Sequence, residues 1–507
     1  MSTTNLEDDF SSSISTKKMR RTDEQQALID SVVSGECACG EALAGCGKTT
    51  IIIESANDMP KRKLELICFN VRNAEEVNSN PKKPSNLTAY RFHQKCLRTL
   101  GRVNVKVKSF TAGKWTNGKN EDIIRRDPIF DSFNRSLSKD EKISAKENFD
   151  AADQCLRLLK NTYVDPSFTD VINLMNRYQI SPSMPRDEFA NKILSFLRIS
   201  DEDQYNVDYD DMIRFCVLRG LGSNIISDVF AIDEAQDNTP MRTMLMKQMQ
   251  ENSQVVFIGD RRQAIYAFAG SDCKSMENII NLLDDVKLLP LTINFRCDKN
   301  IIREAQKLVP DIKYLESKED GIVTHSEMKD LHKHLQPGDV GISRYNRVII
   351  PECFKLIRSG KPATIQGADF GKMLKSQISG FKATSMDDFY TRLNSWYDKQ
   401  CKYSEECVSD ATTERFACLK FLADNSDTVE DIARTIEGIF SDKTHADTYM
   451  FSTGHRSKGL EWDRVHILDS SNFICRREGI TAEQAQQELN IMYIAQTRAR
   501  HFLNFVS

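Results

Sequence analysis

The sequence lacks any apolar run approaching the ~18 residues a membrane-spanning helix needs, and its opening stretch, MSTTNLEDDFSSSIST, lacks the apolar segment of a secretory signal. A cytoplasmic protein is expected, nuclear if the host is eukaryotic, with no membrane partner. It lacks an excess of either charge. With 69 basic side chains against 73 acidic ones, net charge argues neither for nor against a nucleic-acid partner. It lacks a CxxC pair, so its 14 cysteines suggest neither a disulfide framework nor a zinc site, and most are expected in the core. The 8 histidines are dispersed, and His332 with His334 reads as a solvated loop or strand edge. What is present is the balance of a globular chain: 507 residues, 28% charged and 40% hydrophobic, enough for roughly three or four domains.

Residues 1–20 are polar and end in a basic cluster, and are expected to form a disordered tail. From Cys37 onward short apolar runs alternate with helical patterns: a strand into Leu43, a helix after Lys48, then strands at Leu64–Phe69, Val229–Ile232 and Val255–Ile258. Such alternation implies an α/β fold of parallel sheets. A mostly helical stretch between His93 and Asp233 reads as an insertion into this unit. A second α/β unit is expected from Val286–Leu291 through Val340–Ser343 to Phe502–Val506, interrupted by helices between Gly371 and Asp447.

Three segments carry chemistry. Ala42-Leu43-Ala44-Gly45-Cys46-Gly47-Lys48-Thr49 lies between a strand and a helix. Its small residues let backbone N–H groups curl around phosphate oxygens, Lys48 supplies charge, and the Thr49 hydroxyl can bind Mg²⁺. Asp233 and Glu234 follow the run Val229–Ile232, at the strand end where open α/β sheets bind ligands. There Asp233 suits a hydrated metal and Glu234 suits polarising a water, although acidic residues after strands are also common helix caps. The run Val255–Ile258 ends in Gly259-Asp260-Arg261-Arg262-Gln263, where Gln263 can sense a γ-phosphate; Tyr266 and Phe268 beyond it would by themselves be core aromatics.

Taken together these segments resemble those of superfamily 1 helicases of the UvrD/Rep/PcrA group, and further motifs follow in order. Thr22-Asp23-Glu24-Gln25 resembles the glutamine motif, with Gln25 on the adenine edge. Ile67-Cys68-Phe69-Asn70 and Tyr90-Arg91-Phe92-His93 resemble the Ia and Ib motifs, which contact single strands. Leu291-Thr292-Ile293-Asn294-Phe295-Arg296 resembles motif IV, where Phe295 stacks on adenine and Arg296 reaches the γ-phosphate. Thr453 to Trp462 resembles motif V, touching DNA through His455 and ribose through Glu461. Glu488 to Arg500 resembles motif VI, with Arg498 as arginine finger. The layout most resembles the helicase part of F-box DNA helicases.

The resemblance implies two RecA-like lobes, each with a mostly helical insertion: 21–94 with 211–284 as the first lobe, 95–210 as its insertion, 285–370 with 448–507 as the second lobe, and 371–447 as a small second insertion. It implies an ATP-hydrolysing 3′-to-5′ translocase and helicase that uses Mg²⁺ on single-stranded DNA and single/double-strand junctions; it names no protein partner. Catalysis would fall to Lys48, Glu234, Gln263, Arg296 and Arg498. Nucleotide would be held by Gln25, Ala44, Gly45, Cys46, Gly47, Lys48, Thr49, Thr50, Phe295, Arg296, Glu461 and Arg498, the metal by Thr49 and Asp233, and DNA by Phe69, Asn70, His93, Tyr266, Phe268 and His455.

Phe268-Ala269 stands where the family commonly has Trp-Arg, which keeps a ring and removes a cation. A protein-displacing switch that leaves duplex closed is the other class open. Arg102 to Arg126, with Lys106, Lys108, Lys114 and Lys119 beside Phe110 and Trp115, is either a basic track or a solvated face. Cys46 is either a small side chain tolerated between glycines or, favoured by the helix end and Lys48, a thiolate. The second insertion is expected to be small enough that its removal changes activity only modestly.

Overall fold

The computed structural model describes residues 21–69, 71–103, 110–111, 114–115, 118–132, 136–178, 180–203, 207–265, 274–403, 410–442, 447–475 and 480–507. The N-terminal tail, Asn70, Lys106, Lys108, Tyr266 and Phe268 lie outside the described residues.

Two parallel six-stranded sheets organise the chain. The strands of the first are β1 (Ala38–Ala42), β2 (Leu64–Ile67), β3 (Leu87–Tyr90), β4 (Val229–Ile232), β5 (Gln254–Gly259) and β6 (Lys287–Leu291), in the spatial order β3-β2-β4-β5-β1-β6. Every residue of β2 and β4 is buried, as expected when helices cover both faces of a parallel sheet. The order sets β4, β5 and β1 side by side, so the loops that follow them meet at one edge.

The run ending at Leu291, expected to open the second unit, instead pairs with β1 as the edge of the first sheet. Pro290 has no N–H to donate, which confines such a strand to an edge. The second sheet comprises β7 (Ile322–Ser326), β8 (Val340–Ser343), β9 (Ala363–Ile365), β10 (Tyr449–Thr453), β11 (Trp462–Leu468) and β12 (Ala499–Val506), ordered β7-β12-β11-β8-β10-β9. No helix among the described residues is long and apolar enough to cross a membrane.

Between β3 and β4 the described residues form six α-helices, the longest Lys139–Thr162, capped reciprocally by Ser138 and Glu141. Several enclose a core of their own around Leu156, Leu159, Phe189 and Phe196. Beside it lies a buried ionic cluster in which Lys160 pairs with Asp208 at 2.9 Å and Asp211 at 2.7 Å. Lys119 joins it, 2.8 Å from Asp211. The sequence offered Lys119 to a basic surface track; the fold spends its charge internally.

The second helical segment behaves differently. Helices Ala368–Phe381, Met386–Tyr403, Asp410–Asp424 and Val429–Ile439 share one core with the second sheet: Leu374, Phe389, Leu419, Leu422, Ile432 and Ile436 pack in the same cluster as Ile349, Ile350, Leu356, Ile365 and Phe451. Glu414 also accepts from the backbone N–H and, at 2.9 Å, the side-chain amide of Asn346 at the start of helix Asn346–Arg358. Gly371, the expected start of this segment, lies inside a helix against Phe440.

Candidate functional site

The loop after β1 turns through Gly45 (φ 70°) and Gly47 (φ 80°) into helix Lys48–Asp58. Both angles are left-handed, and a Cβ on Gly45 would lie 2.4 Å from Nδ2 of Asn294, so glycine is needed there for close approach as well as conformation. The Lys48 ammonium meets the Glu234 carboxylate at 2.8 Å. Burial opposes the charge on both, yet Glu234 and Asp233 outweigh it and raise the Lys48 pKa. Burial likewise opposes ionisation of Glu234, but Lys48 and Lys458 hold it down to about 2. Asp233, buried beside the Glu234 charge, is pushed up to about 6. Glu234 itself adopts a left-handed backbone (φ 52°), a non-glycine strain of roughly 1–3 kcal/mol. Gln263 donates to Asp260 at 2.7 Å. Thr49 and Thr50 are exposed at the helix start.

The segments flanking and within the second sheet supply the opposite wall. Asn294 donates to the Ala44 carbonyl at 2.7 Å, the Phe295 N–H to the Gly45 carbonyl at 2.9 Å, and the Ala44 N–H to the Tyr493 hydroxyl at 2.9 Å. Ala44 thus has both backbone groups engaged within the protein. Gln25 donates to the Cys46 carbonyl at 3.3 Å. Lys458 reaches across to Asp237 at 2.6 Å and to the Gln263 carbonyl at 2.7 Å. Arg296 pairs with Glu461 and donates to the Thr497 carbonyl at 3.2 Å; Arg500 also holds Glu461. Arg498 is buried, donating to the carbonyls of Ile494 and Leu460 at 3.0 Å each. Burial, reinforced by Arg296, lowers its pKa to about 9.

Lys48, Glu234, Asp233, Gln263 and Gln25 therefore converge with Phe295, Arg296 and Arg498 around the loops after β1, β4 and β5. The fit to a phosphorylated ligand with a hard cation rests on this donor set: a glycine turn, the cations Lys48, Arg296 and Arg498, the Thr49 hydroxyl, and the Asp233 and Glu234 carboxylates. Mg²⁺ is commonly bound through one or two carboxylates plus ligand phosphates. No cluster of three or more His, Cys, Asp or Glu able to hold a metal occurs among the described residues.

Burial decides between the two readings of Cys46 and sets the surroundings of His93. Cys46 is buried, its sulfur 3.0 Å from the Leu291 carbonyl, and burial, with Asp260 and Glu24, pushes its pKa well above the usual thiol value, so it is no thiolate. His93 is 7% exposed, stacked on Tyr209 at 3.6 Å between centroids, and held neutral by burial. His455 is half-buried and its pKa is lowered to about 3 by burial, then by Arg344 and Lys458. Phe69 remains at the surface, 36% exposed. The sequence did not single out Asn294, Tyr493, Lys458, Tyr209 or Arg242. Asn294, Lys458 and Tyr493 sit inside the quoted motif segments, a usable signal, whereas Tyr209 and Arg242 are placed by tertiary structure alone.

Comparison with known proteins gives a consistent picture. The family described as UvrD/REP helicase N-terminal domain matches residues 22–284. F-box DNA helicase protein 1 of Schizosaccharomyces pombe is 23% identical over 94% of this chain and 56% of its own length. F-box DNA helicase 1 of Gallus gallus is 22% identical over 98% of this chain and 50% of its own. A putative ATP-dependent DNA helicase of Bacillus subtilis is 24% identical over 52% of this chain and 35% of its own. The chain thus spans about half the length of the two F-box helicases.

Proposed function

This chain belongs to the UvrD/REP helicase family, and on that premise we propose that it is an ATP-driven 3′-to-5′ translocase on single-stranded DNA that opens duplex at single/double-strand junctions in repair, recombination or replication. We take residues 21–94 with 211–284 as the core of the first lobe, 95–210 as its insertion, and 371–447 as the insertion in the second lobe. One observation carries the proposal: the ion pair of Lys48 and Glu234 is walled by Arg296, Arg498 and Lys458 from the other half of the chain, so the site is composite.

Phosphoanhydride hydrolysis needs positioning and charge neutralisation more than covalent chemistry. Lys48 exchanges Glu234 for a phosphate oxygen, which frees Glu234 to accept a proton from the attacking water. Thr49 and Asp233 would hold Mg²⁺, which neutralises phosphate charge. Arg296 and Arg498 stabilise negative charge as it develops, Gln263 orients, Phe295 and Gln25 hold the base, and Glu461 takes the ribose after Arg296 turns inward. Lys458 spans the lobes and ties their separation to Asp237, three residues from Glu234. Bases on the DNA face are gripped by Phe69 and, in this proposal, Tyr266, Phe268, Asn70 and His455.

The test is ATP turnover with and without single-stranded DNA, beside strand displacement on duplexes carrying a 3′ or a 5′ tail. Stimulation by DNA and preference for the 3′ tail are expected. Turnover indifferent to DNA would refute the proposal, a 5′ preference would refute its polarity, and stimulation without displacement would leave the protein-displacing switch.

A further inference from the structure

Cations bound to aromatic rings line the first sheet where β2 and β3 end. At the end of β3, the Tyr90 ring carries the Lys95 ammonium 4.1 Å and the Arg98 guanidinium 5.1 Å from its centroid. Two residues beyond β2, the Phe69 ring lies 5.1 Å from the Arg242 guanidinium, which is also 5.9 Å from Phe92. Arg242 sits in the first turn of helix Pro240–Gln250, which Thr239 caps.

Arg242 lacks the carboxylate partner that several other arginines of the chain have. Arg296, Arg344 and Arg261 each hold a carboxylate. Among the described residues no carboxylate pairs with Arg242, and its Nε is buried with no acceptor.. The acids whose fields reach it pair with other groups, Asp237 through Oδ2 with Lys458 at 2.6 Å and Asp210 with Asn161 at 3.0 Å, and neither bonds the guanidinium. A half-buried guanidinium without a counter-charge is costly unless an anion completes it. Its guanidinium carbon lies 5.1 Å from the centre of an exposed ring while its Nε stays unspent.

We propose that Arg242 binds a backbone phosphate of single-stranded nucleic acid while Phe69 stacks on the adjoining base. The pairing suits a single strand better than duplex, because the ring needs an unpaired base face and the fork needs the phosphate beside it. Tyr90 with Arg98 then continues the same path along the sheet edge. This inference rests on the single-strand reading above and adds a contact to it.

The experiment is equilibrium binding of a fluorescent oligothymidylate across a salt series for the intact chain, Arg242→Gln, Arg242→Met and Arg242→Lys, each checked for an unchanged urea midpoint. Each phosphate neutralised on a single strand contributes about 0.7 to the slope of log affinity against log salt. The Gln and Met variants are expected to bind more weakly and to lose about that much slope; the Lys variant keeps the slope and loses affinity through poorer stacking. If the neutral variants fail to fold, the Lys variant still decides, because a reduced slope there overturns the assignment. Parental slopes in Gln or Met overturn it too, whereas failure of the intact chain to bind the oligonucleotide overturns the single-strand reading itself.

Discussion

Replacing residues 371–447 by a short Gly/Ser linker should unfold the second lobe. The sequence alone suggested a modest effect, on the view that this insertion is a small appendage. In the structure it completes the core of the lobe: Ile349, Ile350, Leu356 and Ile365 are each no more than 1% exposed, in a cluster that continues into Leu419, Leu422, Ile432 and Ile436. Complete burial of such a chain is worth ~1.5–3 kcal/mol, so re-exposing half of each of those four costs about 3–6 kcal/mol. Domains have only about 5–15 kcal/mol in total. Loss of Glu414 also strips the Asn346 end of its helix of an acceptor. The assay is urea denaturation with binding of a hydrophobic dye, alongside DNA-stimulated ATP turnover. The deletion should lower the midpoint sharply and raise dye binding before denaturant is added. A variant with the parental midpoint and turnover within about twofold would refute the shared-core argument and restore the appendage view.

Arg498→Ala should reduce ATP turnover by ~10³-fold while leaving nucleotide binding measurable, as expected of an arginine finger; near-normal turnover in a rapid-quench assay would remove it from the chemistry. Lys458→Met should lose DNA stimulation and stability, since breaking a buried pair costs about 3–5 kcal/mol, and adding Asp237→Asn should return much of the stability; equal urea midpoints for the single and double variants would sink this. Cys46 should resist alkylation in the folded chain and react only in denaturant, read by mass spectrometry, so rapid native labelling at Cys46 would contradict its burial. His93 is held neutral in the fold by burial, so stability should fall as pH drops below the ordinary histidine range, by no more than roughly 2 kcal/mol at pH 5 as the unfolded residue takes up its proton. His93→Gln should flatten the difference between urea midpoints at pH 7 and pH 5, and an unchanged difference would assign the effect elsewhere.

The parts legible from sequence are those where backbone chemistry restricts the residue type. Gly45 and Gly47 need left-handed angles, and Lys48 must follow them to face a phosphate, so three neighbours announce a site. Fully apolar runs such as Val229–Ile232 announce buried parallel strands equally well, and helices such as Met386–Tyr403 follow from apolar periodicity. What stayed hidden depends on partners distant in the chain. The run at Leu291 reads as a strand, but nothing local says that the free flank of β1 would take it. His93 looks like a surface contact until Tyr209 covers it, and Lys119 looks solvated until Asp211 claims it. Cys46 shows the limit of local electrostatics: a nearby cation favours a thiolate, but desolvation and the surrounding carboxylates win.

The same distinction explains how the two halves of the site can act together. Contacts between the sheets' loops are directed at the loops that follow β1, β4 and β5: Asn294 and Tyr493 hold Ala44, Lys458 holds Asp237 and the Gln263 carbonyl, and Asn490 donates to the Ala264 carbonyl at 3.0 Å. Polar contacts of this kind are short-ranged and directional, so a small displacement breaks them outright where an apolar interface would slide. Lys458 lies in the same segment as His455, and that segment also reaches Gly367, where Arg456 packs against the entry to the second helical segment. A shift of this stretch by an ångström would alter the field at Glu234 through Lys458 and, at the same time, the surface beside His455. On the proposed function, coupling between nucleotide chemistry and strand movement would therefore need no long relay, only one segment that touches both.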